Sequence, residues 1–185
     1  MSEPMEPVGQ SDSASSVPSR VLIEGQAKSI AELHDVAKHL MSMLTVGDLL
    51  VLTGELGAGK TTFTRGLAEA FGVQETVSSP TFILARVHDT ATGVPLIHLD
   101  AYRLSSAYEL DDLGLDYHAS ITVAEWGKGL LEHEYESWLE LVLERIPDAA
   151  SPVDTADDEV VEEPRNYRLI GYGARWEETH VDSGN

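Results

Sequence analysis

The chain has 185 residues with 42% hydrophobic side chains, enough for one ordinary domain plus tails. Its net charge of −20, from 12 Lys and Arg against 32 Asp and Glu, repels bare nucleic acid: no direct DNA binding is expected, and any service to RNA would run through a protein partner. The absence of cysteine excludes disulfides and thiolate metal sites, no apolar run approaches the ~20 residues of a membrane span, and the polar, acidic start is no secretory signal, so a cytoplasmic location is expected.

Residues 1–19 are rich in Ser, Pro, Glu and Gly without periodicity and read as a disordered tail. A single domain is expected over 20–176. Arg20 to Gly25 reads as a short strand. Ser29 and Glu32 form a capping box, and Ile30, Leu33, Ala37, Leu40 and Leu44 give a helix to about Leu44. After the turn at Gly47-Asp48, the apolar run Leu49 to Thr53 reads as a strand. Thr62 to Phe71 reads as a helix, with Gly72 as its C-terminal stop. Phe82 to His88 and Val94 to Asp100 read as strands joined by the turn Asp89 to Gly93. Residues 106–118 read as short helical or irregular structure. Ser120 to Trp126 and Trp138 to Ile146 are further strands. Residues 147–164 hold three prolines and seven acids without Lys or Arg, and read as a mobile acidic insertion. Asn166 to Gly173 returns as a strand antiparallel to the one before it, and 177–185 are expected to fray. The order predicts an α/β, three-layer P-loop NTPase-like domain with a mixed parallel and antiparallel sheet.

Between the run at 49–53 and the helix at 62–71 lies Gly54-Glu55-Leu56-Gly57-Ala58-Gly59-Lys60-Thr61, which fits the phosphate-binding loop G-x-x-x-x-G-K-[ST] in the required strand–loop–helix context. Glycines let the backbone curl around an oxyanion, and the inward N–H groups of Gly57, Ala58, Gly59 and the helix start at Thr61-Thr62 form the cradle. Lys60 would reach the β- and γ-phosphates, and Thr61 would place its hydroxyl on Mg²⁺. A nucleoside triphosphate with Mg²⁺ is therefore expected. Two strands end in acids, Asp100 and Glu125, and both would meet the loop if their strands run parallel to the one before it. His98 shares a strand face with Asp100 and would orient it or another site residue. Thr81 is either a γ-phosphate sensor or a plain turn residue. Trp126 either stacks on a base or fills core. Tyr102 and Arg103 either hold the loop after the strand, or Arg103 meets phosphate.

Taken together, Gly54 to Thr62, Ser79-Pro80-Thr81-Phe82, His98-Leu99-Asp100-Ala101-Tyr102-Arg103 and Glu125-Trp126 resemble the TsaE (YjeE) ATPases of tRNA threonylcarbamoyladenosine biosynthesis. The order and spacing match over roughly residues 22–146; Gly127 stands where the family carries Pro after Glu-Trp. The resemblance implies a small P-loop domain without a lid that hydrolyses ATP weakly alone. It implies partnership with TsaB and TsaD, which transfer the threonylcarbamoyl group to adenosine 37 of ANN-decoding tRNAs, so that tRNA is met only through the complex. It implies that Lys60 and Thr61 hold phosphate and Mg²⁺, Asp100 is the catalytic or water-orienting acid, and Glu125 a Mg²⁺ ligand. Thr81 becomes switch-like, and Trp126 a neighbour of the nucleotide. A small-molecule kinase and a binding switch with negligible turnover are the alternatives. Arg is sparse after the P-loop helix, which disfavours an Arg-rich kinase lid. No Asn-Lys-x-Asp motif is present, which favours ATP over GTP.

Overall fold

The computed structural model describes residues 17–104, 108–146 and 164–177. The N-terminal tail to residue 16, nearly all of the acidic insertion (147–163) and the last eight residues lie outside them. The apolar residues of β2 (Leu49–Thr53) are buried from Leu49 through Leu52, as a strand covered on both faces requires. β2 pairs in parallel with β5 (Ile121–Glu125) on one side and β6 (Trp138–Arg145) on the other. β5 pairs in parallel with β4 (Leu96–Asp100). Antiparallel strands close both ends: β3 (Ala85–His88) on β4, and β7 (Arg165–Tyr172) followed by β1 (Ser19–Ala27) on β6. The seven-stranded order is β1-β7-β6-β2-β5-β4-β3. The sheet is mixed, and the domain is α/β with a P-loop NTPase-like layout.

Two helices cover one face. α1 (Ile30–Met41) is capped by Ser29, whose hydroxyl accepts from the Glu32 amide, while the Glu32 carboxylate accepts from the Lys28 amide, one residue beyond the usual capping box. It buries Leu33, Ala37 and Leu40. α2 (Lys60–Ala70) buries Phe63, Leu67 and Ala68 against Leu52, Leu96 and Val123 of the sheet. The opposite face carries Leu49, Val51, Ile97, Leu99 and Ala124, packed by Leu110 of the short α3 (Tyr108–Asp111) and by Leu131. At the C-terminus α4 (Ala174–Glu177) buries Trp176, and Arg175 pairs with the buried Asp48. Among the described residues no helix is long and apolar enough to cross a membrane.

Several boundaries differ from the sequence expectation, and two have clear causes. The strand expected from Phe82 begins only at Ala85. The Pro80 carbonyl accepts from both the Ile83 and Leu84 amides, Leu84 sits at φ 67, and Phe82 is 88% exposed. An apolar run in a tied turn has no sheet face to bury. The strand expected from Val94 begins at Leu96 because Pro95 has no N–H to give to a ladder, although its carbonyl accepts from the Ile121 amide.

Candidate functional site

The loop between β2 and α2 is shaped by glycines with close neighbours. Gly59, the N-cap of α2, has φ 105 and offers no side-chain cap, so the first N–H groups of the helix are left for a ligand. A Cβ on Gly59 would stand 2.9 Å from Nε of Arg165, which donates to the Ala58 carbonyl and pins the loop from β7. A Cβ on Gly54 would collide with the Leu143 carbonyl. Gly57 also has positive φ, at 80. Thr62 follows in the first turn of α2, half-buried.

Lys60 is buried, and its ammonium donates to the carbonyls of Gly54 at 2.8 Å and Glu55 at 2.9 Å. The same nitrogen lies 3.7 Å from the centre of the Trp126 ring, a cation–π contact. Burial lowers the Lys60 pKa from its ordinary value, against the opposing pull of the Glu125 and Asp100 carboxylates. Trp126 itself holds φ 60, rare for a bulky residue, and Tyr102 packs edge-on against its ring at 5.4 Å. Trp126 is half-buried, and its ring face covers the lysine ammonium.

Parallel pairing of β2, β5 and β4 brings the acids to the loop. Glu125 pairs in register with Leu52 on one side and Asp100 on the other. Both carboxylates are 3% exposed. The Thr61 hydroxyl bonds the two Glu125 oxygens at 2.9 and 3.0 Å. His98 Nε2 bonds Glu125 Oε1 at 2.8 Å, so the residue it orients is Glu125. Asp100 Oδ2 accepts from the hydroxyls of Ser79 and Thr81, and Oδ1 from the Tyr102 amide. Thr81 is therefore fastened to Asp100 rather than sitting as an independent turn residue.

Two buried carboxylates side by side call for positive charge between them. Thr61 and Glu125 supply hard oxygen donors, the set Mg²⁺ prefers, and Mg²⁺ usually takes only one or two protein ligands beside water and phosphate. No group of three or more His, Cys, Asp or Glu that could hold a metal exists among the described residues, so these two residues fit a shared ion rather than an all-protein cage. Around this mouth stand large exposed side chains: Leu56 at 86%, Phe82 at 88% and Tyr102 at 68%. Arg103 is exposed beside them on the turn Ala101–Arg103.

Sequence reasoning did not find every contributor. Ser79 lay within the Ser-Pro-Thr-Phe match but had no role assigned, and its hydroxyl reaches Asp100 at 3.0 Å. Arg165 gave no signal, since its contact with the loop joins residues 107 positions apart. Glu140 was readable only as an acid within the apolar strand Trp138–Arg145. It is buried, and it accepts from Thr53 just before the loop and from Lys128 just after Trp126.

The comparisons agree with this geometry. The family model "Threonylcarbamoyl adenosine biosynthesis protein TsaE" matches residues 27–150. A protein of Streptomyces coelicolor named tRNA threonylcarbamoyladenosine biosynthesis protein TsaE is 45% identical over 148 residues, covering 78% of this chain and 93% of that protein. Its namesake from Bacillus subtilis is 38% identical over 120 residues, covering 63% and 74%. The crystal structure of YdiB from Bacillus subtilis superposes with a TM-score of 0.62 at 27% identity, covering 87% of this chain and 90% of that one. The chain belongs to the TsaE family of threonylcarbamoyladenosine biosynthesis proteins.

Proposed function

We propose that this chain is a Mg²⁺-dependent ATPase. It supports the TsaB–TsaD pair in threonylcarbamoylation of adenosine 37 of ANN-decoding tRNAs and works in the cytoplasm. The observation that carries the reading is the convergence of Lys60, Thr61, Glu125 and Asp100 at the C-terminal ends of three parallel strands, beside an uncapped helix N-terminus. The loop amides of Gly57, Ala58 and Gly59 with those of Thr61 and Thr62 hold the phosphates. Lys60 leaves its two carbonyl partners and Trp126 to neutralise the β- and γ-phosphates. Thr61 and Glu125 would hold Mg²⁺, which neutralises charge on the β- and γ-oxygens when bound. His98 keeps Glu125 in place. Asp100 orients the attacking water and takes up its proton, and its bonds to Ser79 and Thr81 link that acid to the 79–84 loop. Trp126 becomes a neighbour of the nucleotide. The exposed Leu56, Phe82 and Tyr102 around the mouth fit a protein partner lying over the nucleotide.

Phosphate release from Mg²⁺-ATP, measured with and without purified TsaB–TsaD, tests this reading, with Lys60→Ala as control. The expected result is slow release alone and a rise of tenfold or more with the pair, both lost in Lys60→Ala. An unchanged rate with no complex formed would overturn the partner-coupled ATPase. Phosphate found on a small acceptor rather than in water would make the protein a kinase.

A further inference from the structure

Two histidines are fully buried between α2 and the sheet, and only one touches the site. His98 Nε2 bonds Glu125 at 2.8 Å, and its side chain is 0% exposed. His88, on β3, is also 0% exposed and bonds Glu75 Oε1 through Nδ1 at 2.6 Å. The two rings are neighbours, with centroids 6.3 Å apart and planes tilted by 32°. An ionised carboxylate only accepts, so each bonded nitrogen carries the proton. A neutral ring then bears a lone pair on its other nitrogen. Those nitrogens, Nε2 of His88 and Nδ1 of His98, are both buried without a hydrogen-bond partner. Two imidazoles with unpartnered nitrogens are a costlier filling than two apolar side chains, so packing alone does not account for them. The row Glu75, His88, His98, Glu125 runs from a half-exposed carboxylate to the one beside Thr61.

We propose that Glu75 and His88 are positioning residues that act through His98 to hold Glu125 ready for a divalent cation. The pair fixes the tautomer and ring plane of His88; His88 restrains His98; His98 fixes the carboxylate. Groups that orient a metal ligand typically change metal affinity 10–100-fold when lost. A pair one step further out should change it less, by about three- to tenfold. The proposal rests on the Mg²⁺-nucleotide reading above.

The test compares the calorimetric affinity for ADP in Mg²⁺ with that in EDTA, using the full chain. The ratio of the two isolates the contribution of the ion. Glu75 is 53% exposed, so Glu75→Ala removes the partner of His88 Nδ1 without opening a cavity in the core; His88→Gln is the second variant. Both should lower the ratio about threefold or more while leaving the EDTA affinity unchanged. Neither should lower it further in a His98→Gln background. If Glu75→Ala and His88→Gln keep the wild-type ratio, or lower it equally in the His98→Gln background, the proposal is overturned and the ATPase reading stands. A wild type whose ADP affinity ignores Mg²⁺ overturns both.

Discussion

At Lys60, stability and function oppose each other. The ammonium is buried, its hydrogen bonds go to two neutral carbonyls, and burial lowers its pKa despite Glu125 and Asp100. A depressed lysine pKa means that the folded state holds this proton less tightly than the unfolded chain. The charged side chain therefore costs stability at neutral pH, and the cost fades as pH rises from the folded pKa towards the ordinary value of 10.5. Lys60→Met keeps the length of the side chain and removes the charge. The nucleotide-free variant should melt at or above the wild-type temperature at pH 7, and the difference should shrink by pH 10, as read by calorimetry. ATP binding should be lost in the same variant. A melting temperature several degrees below wild type would mean that the ammonium's contacts with Gly54, Glu55 and Trp126 outweigh its desolvation.

Among the elements, β6 joins the two halves of the site through one acid. Glu140 accepts from the Thr53 hydroxyl at 2.7 Å, from Lys128 at 2.8 and 3.1 Å, and from the Tyr172 hydroxyl at 2.9 Å. It thus ties the end of β2, the segment after Trp126, and β7. Burial alone would raise the Glu140 pKa, but the bonds from Lys128, Thr53 and Tyr172 and the charge of Lys128 together bring it below its ordinary value. Tyr172, half-buried and donating to Glu140, is pushed up to about 12 by partial burial and by that carboxylate. A depressed carboxylate pKa gives stability that is complete above the ordinary value of 4.5 and is lost as pH falls through the lower folded value. Glu140→Ala should cost about 2 kcal/mol in urea unfolding at pH 7, because three donors lose their acceptor and one of them, Lys128, stays largely solvated. The gap between Glu140→Gln and wild type should close as pH falls below 4.5. The strands around this acid were legible because Leu49 to Leu52 is an unbroken apolar run and Ile121-Thr122-Val123-Ala124 is rich in β-branched residues, each ended by loop chemistry. The loop at 80–84 was not, because its apolar residues imitate a strand while Pro80 turns the chain and leaves Phe82 in solvent. Lys60, Thr61, Asp100 and Glu125 could be named from local motifs and strand ends. Glu140, Arg165 and the Glu75–His88 pair could not, since each depends on which distant strands or loops become neighbours.

On the scale of the whole molecule, charge governs encounter. The net charge of −20 opposes any polyanion at long range, while Lys60 and Arg165 offer positive charge only at the loop itself. Bare tRNA should accordingly remain unbound by the purified protein in filter retention at 0.15 M salt. ATP is also an anion and meets the same field before it reaches the loop. At about 0.01 M salt the Debye length is ~30 Å, so the approaching nucleotide feels most of the molecule; at 0.15 M it is ~8 Å, and only the neighbourhood of the loop acts. Raising salt should therefore speed association, the reverse of the slowing seen when opposite charges steer a ligand in. Stopped-flow mixing with a fluorescent ATP analogue at constant Mg²⁺ measures this directly. The expected change is a two- to tenfold rise in association rate between those salt concentrations, with a smaller change in dissociation. A rate that falls with salt would mean that the positive charge around Lys60 and Arg165 dominates the field at the mouth, and that the acidic surface lies too far away to be felt there.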